Sequence, residues 1–295
     1  MKNLTRITLS QQDDSIIYVT DGKQIFQIES PQTERYSKPK PKRKILPTEA
    51  RMAQRAQLSN LISTYRILSA FIKEKAYPFK PKTQKAYNLF IKQNLGRIKV
   101  YLDKTEAEAK ACVVAPYNLS MGSLMPIEIK AKADRMITSL RVPESFPITD
   151  TTTTGEVSLA LINVNEFICC NDCLTVIHLV QTFVAIEETI IPYIIPRLYE
   201  FIIKPTSQIP FYTLMPASLF RVNEGYIGTD SGIETGGMAY ILSRKMENKA
   251  DISTQSVVLT PDNVTYRKYS SEQQKQKVAI SYGVAAPVFV DPKIF

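Results

Sequence analysis

Five residues, Cys169-Cys170-Asn171-Asp172-Cys173, followed by His178, hold the densest set of soft and basic ligands in the chain. Cys170 and Cys173 form a C-x-x-C, and Cys169 with His178 could complete a tetrahedral zinc site if the thiols were ionised. The second C-x-x-C and the spaced His pair of strong zinc motifs are missing. His178 is the only histidine, so any nucleophile–His pair or imidazole acid/base step would have to pass through it. Asn171-Asp172 also reads as a turn between two buried strands, with the cysteines as small core residues. In an ideal strand Leu174, Val176, His178 and Val180 share one side, which gives the histidine an apolar setting. The core reading is preferred, and no metal, cofactor or catalytic residue is expected. Glu187-Glu188 and Asp172 suggest a carboxylate pair, but neighbours on a strand face opposite ways and do not converge. Gly236-Gly237 carries neither phosphate-loop nor dinucleotide spacing and reads as a hairpin loop.

These residues must be positioned by a chain of 295 residues with 44% hydrophobic and 22% charged content, 10 Gly and 18 Pro. That composition is globular and excludes wholesale disorder or a collagen-like repeat. Four Cys do not make a disulfide framework. The longest apolar region, Val176 to Ile203, is interrupted by Gln181, Glu187, Glu188, two prolines and Arg197, so no membrane span is expected. The amino terminus lacks a secretory signal, which points to the cytoplasmic side or to a signal-independent exit.

Charge is unevenly spread. Between Arg35 and Lys104 lie 18 Lys/Arg and 3 acids, a balance of +15, against 19 and 25 elsewhere, a balance of −6. This predicts a basic module joined to a mildly acidic one. Ile16–Val19 and Ile25–Ile28 flank Asp21-Gly22, the strongest short hairpin signal. An extended arm, Ser37-Lys38-Pro39-Lys40-Pro41-Lys42-Arg43-Lys44, follows. From an N-cap at Thr48 a helix is expected to about Lys75, with Leu58, Leu61, Ile62, Tyr65, Leu68 and Ile72 as its apolar stripe. A second helix is expected over Thr83–Asn94, a short strand at Val100–Leu102, and a capping box opening at Thr105. Beyond Cys112 short apolar runs predict strands at 112–115, 124–130, 136–142, 156–164, 173–186, 198–203, 218–222, 238–243, 256–259, 278–282 and 287–290, with 198–203 equally open to a helix because periodicity does not decide it. The fold class is therefore α+β: an N-terminal β-hairpin, a basic extended arm and short helices (1–111), then a β-rich sandwich- or barrel-like domain (112–295).

The segment Lys42-Arg43-Lys44-Ile45-Leu46-Pro47-Thr48-Glu49-Ala50-Arg51-Met52-Ala53-Gln54-Arg55-Ala56 resembles an uncharacterised family of Bacteroidetes and their phages, catalogued as a domain of unknown function. Its pattern is a basic arm, then Pro-Thr and a helix carrying Gln-Arg. Tyr87–Asn94, Val100–Leu102 and Val113–Leu124 extend the likeness over roughly residues 15–127. Leu46 departs from it, since the family more often has Asn before the Pro. No catalytic residues carry over. The resemblance implies a virion component, such as a ring or connector of a crAss-like phage tail.

Together these features lead to an expectation of a non-enzymatic structural subunit of a multi-subunit particle, a bacteriophage virion ring, head–tail connector or tail component. Its place would be the virion, assembled in the host cytoplasm, and otherwise the cytoplasm. Partners would be further copies of the chain and other virion proteins. Lys38, Lys40, Lys42, Arg43, Lys44, Arg51 and Arg55 are the expected subunit-contact or anion-binding residues. Arg51 and Arg55, four apart, share one helical face, where their mild repulsion invites an anionic partner. The arm is expected to reach across an acidic neighbour. The alternative is a nucleic-acid-binding accessory protein whose arm neutralises phosphates.

Overall fold

The computed structural model describes residues 5–6, 16–20, 25–29, 48–186, 189–246, 250–262 and 271–283. By internal contacts the chain forms two units, Met1–Leu46 and Pro47–Phe295. In the first, β1 (Thr5–Arg6), β2 (Ile16–Thr20) and β3 (Ile25–Glu29) form an antiparallel sheet in that order. The hairpin register runs from Ile16↔Glu29 to Thr20↔Ile25, which places the connection at the expected Asp-Gly segment.

The second unit begins with α1 (Glu49–Ile67), α2 (Ser69–Glu74), α3 (Ala86–Asn94) and α4 (Lys104–Glu108). Thr48 caps α1, its hydroxyl accepting from the Arg51 N–H at 3.4 Å. The expected single helix to Lys75 divides at Leu68. Its buried face also differs from the apolar stripe: Asn60, Ser63 and Thr64 are buried, while Leu58 and Ile62 are half-exposed. The reason is a polar network. Asn60 Nδ2 and Thr64 Oγ1 donate to the Tyr117 hydroxyl at 2.7 and 3.1 Å, and Asn60 Oδ1 accepts from the Val113 N–H at 2.9 Å. Asp103, not Thr105, caps α4, in a reciprocal capping box with Glu106.

Ala111–Ala115 is buried but is not a strand. Side chains and a distant carbonyl satisfy its backbone: Val113 N–H on Asn60, Val114 N–H on Gln181 Oε1 at 2.7 Å, and Cys112 N–H on the Pro192 carbonyl at 2.9 Å. Val100–Leu102 is likewise non-strand, although Val100 and Leu102 are buried.

Then come β4 (Asn118–Ser120), β5 (Ile129–Lys132), β6 (Arg135–Arg141), α5 (Thr154–Val164), β7 (Cys173–Ile186) and β8 (Thr189–Ile202). β9 (Arg221–Asn223), β10 (Tyr226–Gly228), β11 (Gly236–Lys245), β12 (Ala250–Ile252), β13 (Gln255–Ser256), β14 (Val258–Leu259) and α6 (Glu272–Ser281) complete it. The sequence reading of strands at 156–164 and 278–282 is corrected to helices α5 and α6. Thr153 and Glu156 form a capping box at the start of α5, and Ser271 accepts from the Gln274 N–H at 3.2 Å to open α6. The strand expected at 287–290 lies outside the described residues.

The larger sheet has the order β12-β11-β7-β8, with β14 also on β11, and all its pairings are antiparallel. A second sheet, β5-β6-β10-β9, and the pair β13-β4 complete an α+β architecture. Successive residues of β7 enter different cores. Ile177 and Leu179 join α1–α3 and residues 111–119, whereas Leu174 and Val176 join α5, β6 and Phe211–Phe220. Contacts therefore part at Leu46/Pro47 instead of at the expected 111/112, because the helices complete their core on the sheet. Gly236 and Gly237 stand in the ladder opposite Val180 and Leu179, not in a loop. A Cβ at Gly236 would sit 1.9 Å from the Leu179 carbonyl oxygen, so this close strand approach requires glycine.

Candidate functional site

Lys38, Lys40, Lys42, Arg43 and Lys44 lie outside the described residues, so the expected bridging of a neighbour by residues 30–47 does too. Arg51 and Arg55 are both exposed on the first turns of α1. Arg55 has a neighbour within its own chain: its guanidinium carbon lies 6.0 Å from the centroid of the Tyr282 ring. Tyr282 follows α6, and its hydroxyl bonds the carbonyls of Leu102 and Asp103 at 3.3 Å each. The aromatic face thus supplies part of what an anionic partner was expected to give Arg55. Arg51 has no ion-pair partner among the described residues.

The cysteine cluster is not core. Cys169 and Cys170 are exposed and Cys173 is intermediate; Cys112 is the buried cysteine, its thiol pushed up to about 12 by burial. Asn171 adopts φ +67°, a left-handed turn conformation that Asn tolerates. Asp172, fully buried, anchors the turn. It accepts from the Cys169 N–H at 2.8 Å and from Arg244 Nε and Nη2 at 2.7 and 2.8 Å. His178 sits in the sheet, 1% exposed, sharing its face with Leu174 and Val176 as the alternation requires. Its Nε2 lies 3.2 Å from the Glu234 carbonyl oxygen, and Nδ1 has no partner among the described residues. Burial holds its pKa below the ordinary value. Among the described residues no three His, Cys, Asp or Glu side chains converge as metal ligands.

Sequence reasoning missed the most distinctive surface. β7 and β8 pair continuously from Cys173↔Ile202 to Ile186↔Thr189. β11 accompanies β7 only from Cys173 to Val180, so the outer part of the hairpin is a two-stranded ribbon among the described residues. The Pro192 carbonyl accepts from Cys112 on the side away from β7. Pro192 and Pro196 share that outer side of β8, where a missing N–H breaks no ladder bond. Sequence reasoning therefore recovered only the 198–203 end of this strand.

Gln181 clamps the ribbon where β11 leaves it. Its Oε1 accepts from Val114 and its Nε2 donates to the Tyr193 carbonyl at 2.9 Å, while the Tyr193 hydroxyl donates to the Ala109 carbonyl at 2.7 Å. Beyond the clamp Val184 is 45% and Ile190 67% exposed, with Phe183 also exposed. At the opposite end, the foot of the ribbon, a groove of about 1110 Å³ is floored by Phe201, Ile202, Ile209, Leu214 and Met246. Lys75 bridges Glu200 across one wall at 2.6 Å. Lys204 and Lys245 line the groove without an ion-pair partner among the described residues.

Comparison with protein-family models, curated proteins and solved structures finds no match to this chain.

Proposed function

We propose that this chain is a non-enzymatic structural subunit of a multi-subunit particle, built to be held by neighbouring copies, and that the particle is a phage virion in which it forms part of a ring, head–tail connector or tail. The observation that carries this reading is the β7–β8 ribbon, which outruns its sheet neighbour and exposes Val184 and Ile190 at its outer end. Exposed apolar side chains on a two-stranded ribbon favour burial against another protein surface. The resemblance of residues 15–127 to a phage-associated family supplies the virion setting. The arm of Lys38 to Lys44 adds a positive segment for an acidic neighbour. Among the described residues no helix is long and apolar enough to cross a membrane.

The test is to purify particles containing the chain and measure its copies per particle by quantitative mass spectrometry. The reading expects a fixed number greater than one, retained through density-gradient separation. Recovery only as a free chain, with salt-dependent DNA binding lost on neutralising the arm lysines, would replace it with the nucleic-acid accessory reading.

A further inference from the structure

The basic module of the sequence extends past its arm into the helices of the second unit. From Ala76 to Leu102 the chain holds Lys80, Lys82, Lys85, Lys92, Arg97 and Lys99 and no Asp or Glu. All six cations are exposed, and none has an ion pair or a side-chain hydrogen bond among the described residues. The acids of the flanking helices and caps are Glu49, Glu74 and Asp103; Asp103 caps α4, and Lys75, just before the stretch, takes Glu200. α3 orders the charge. Ala86, Phe90 and Asn94 are buried on one face, which leaves Lys85, Asn88 and Lys92 exposed along the other, with Lys85 and Lys92 two turns apart. Before α3, Pro78 and Pro81 bracket Phe79, the only large apolar side chain exposed between Ala76 and Leu102, at 55%, and Lys80 and Lys82 adjoin it in the chain. The Lys80 and Gln84 N–H groups donate to the Tyr77 and Pro81 carbonyls at 3.3 and 2.9 Å, so two turns shape this loop. After α3, Arg97 and Lys99 line a pocket of about 250 Å³ with Val100, Val114, Pro116 and Leu259 among its apolar walls. It is smaller than the ~300–1,000 Å³ of drug-sized sites and has room for a single planar ring system.

We infer that this strip binds single-stranded nucleic acid, with the lysines of the 80–85 loop and α3 on backbone phosphates, one base stacked on Phe79 and another in the pocket beside Arg97 and Lys99. It goes beyond the subunit reading, which requires no such ligand. Six unpartnered cations with no acid in the same stretch create a positive potential that a chain of phosphates neutralises with release of its counterions. An exposed ring and a base-sized pocket serve unstacked bases, whereas a duplex keeps its bases stacked inside. Lysine is depleted in protein–protein interfaces, and a membrane surface is held by a broad apolar face, of which the strip offers one side chain. Phosphates and bases together account for both the charge and the ring.

The experiment is fluorescence anisotropy of a labelled oligothymidylate of about 20 nucleotides titrated with the full chain between about 50 and 200 mM salt, with oligouridylate alongside to tell a DNA source from an RNA one. Wild type is expected to bind with a steep salt dependence. Lys85→Glu/Lys92→Glu is expected to weaken binding about 10-fold or more and to lower the log–log salt slope by about 1.4, two single-strand contacts at about 0.7 each. Phe79→Ala is expected to weaken it about 10-fold with the slope unchanged, while Phe79→Tyr, which keeps a ring, stays close to wild type. Thermal midpoints equal to that of wild type separate a lost contact from a lost fold. Failure of wild type to bind either oligonucleotide at about 50 mM salt overturns the inference. So does duplex bound as tightly as single strand, or equal displacement of the probe by poly-glutamate, which would mark a site for any polyanion. Binding that is lost on replacing Lys38, Lys40, Lys42, Arg43 and Lys44 by Ala, yet unmoved by the Phe79 and Lys85/Lys92 variants, overturns it as well. Copy number in purified particles is measured independently of these titrations, so the subunit reading and this one can fail separately.

Discussion

Asp172 shows how much one carboxylate can hold. It is fully buried, receives a two-pronged Arg244 guanidinium, and pins the Cys169 N–H, so it fixes both the exposed cysteine turn and the start of β7. Arg244 in turn donates to the Phe167 carbonyl at 3.0 Å. Removing one partner strands the other in a poorly solvated place. Asp172→Ala is expected to lower stability by about 3 kcal/mol, the low end for a broken buried pair because Arg244 keeps some solvent contact. Urea unfolding with an unchanged slope and a lower midpoint checks it. His178 makes a pH-dependent contribution of known sign. Its folded pKa is held below 6.5 by burial, with Glu234 and Arg197, themselves ion-paired, as the charged groups nearby. The unfolded chain therefore binds its proton first as pH falls. Stability is full above about pH 6.5 and declines below it. The thermal midpoint should drop between pH 7.5 and 5.5, and His178→Phe should flatten that drop. As this is the only histidine, one imidazole resonance follows the titration directly.

At the scale of elements, α5 depends on its first turn. Thr153 accepts from the Glu156 N–H, and Glu156 reaches back to the Thr153 N–H at 2.7 Å. Thr153→Ala should lower stability by about 1 kcal/mol, with Thr153→Ser close to wild type, by denaturant midpoint. A Thr-x-x-Glu signal is present in the sequence at Thr153, but only the apolar run after it entered the strand reading, and that run fits a buried strand as well as a helix. β7 was legible over its full length because Val176, Ile177, Val180, Phe183, Val184 and Ile186 make it rich in strand-forming residues. β8 was not, since its prolines argue against a strand until its position at the sheet edge is known. The true buried face of α1 was hidden too. Asn60 and Thr64 are polar, and only the distant Tyr117 and Val113 explain their burial. Of the candidate site, Arg51 and Arg55 could be placed on one exposed face from spacing alone. Glu187-Glu188 was visible only as an unconvincing carboxylate pair. In the structure these two lie outside the described residues.

At the scale of the molecule, the larger sheet of the second unit is covered on one face by α1–α3 with residues 111–119, and on the other by α5, β6 and the Phe211–Phe220 segment. With both faces occupied, what the sheet offers to other molecules among the described residues is its exposed apolar side chains near the two ends of the ribbon. Ile190 and Val184 at one end, and Ile202, Ile209 and Met246 at the other, are the exposed apolar side chains that such contacts would cover. The most direct measurement is the number of copies of this chain in purified particles, counted by quantitative mass spectrometry across a density gradient. A fixed number greater than one that travels with the particle is the predicted result. Recovery of the chain only in free form would contradict the account.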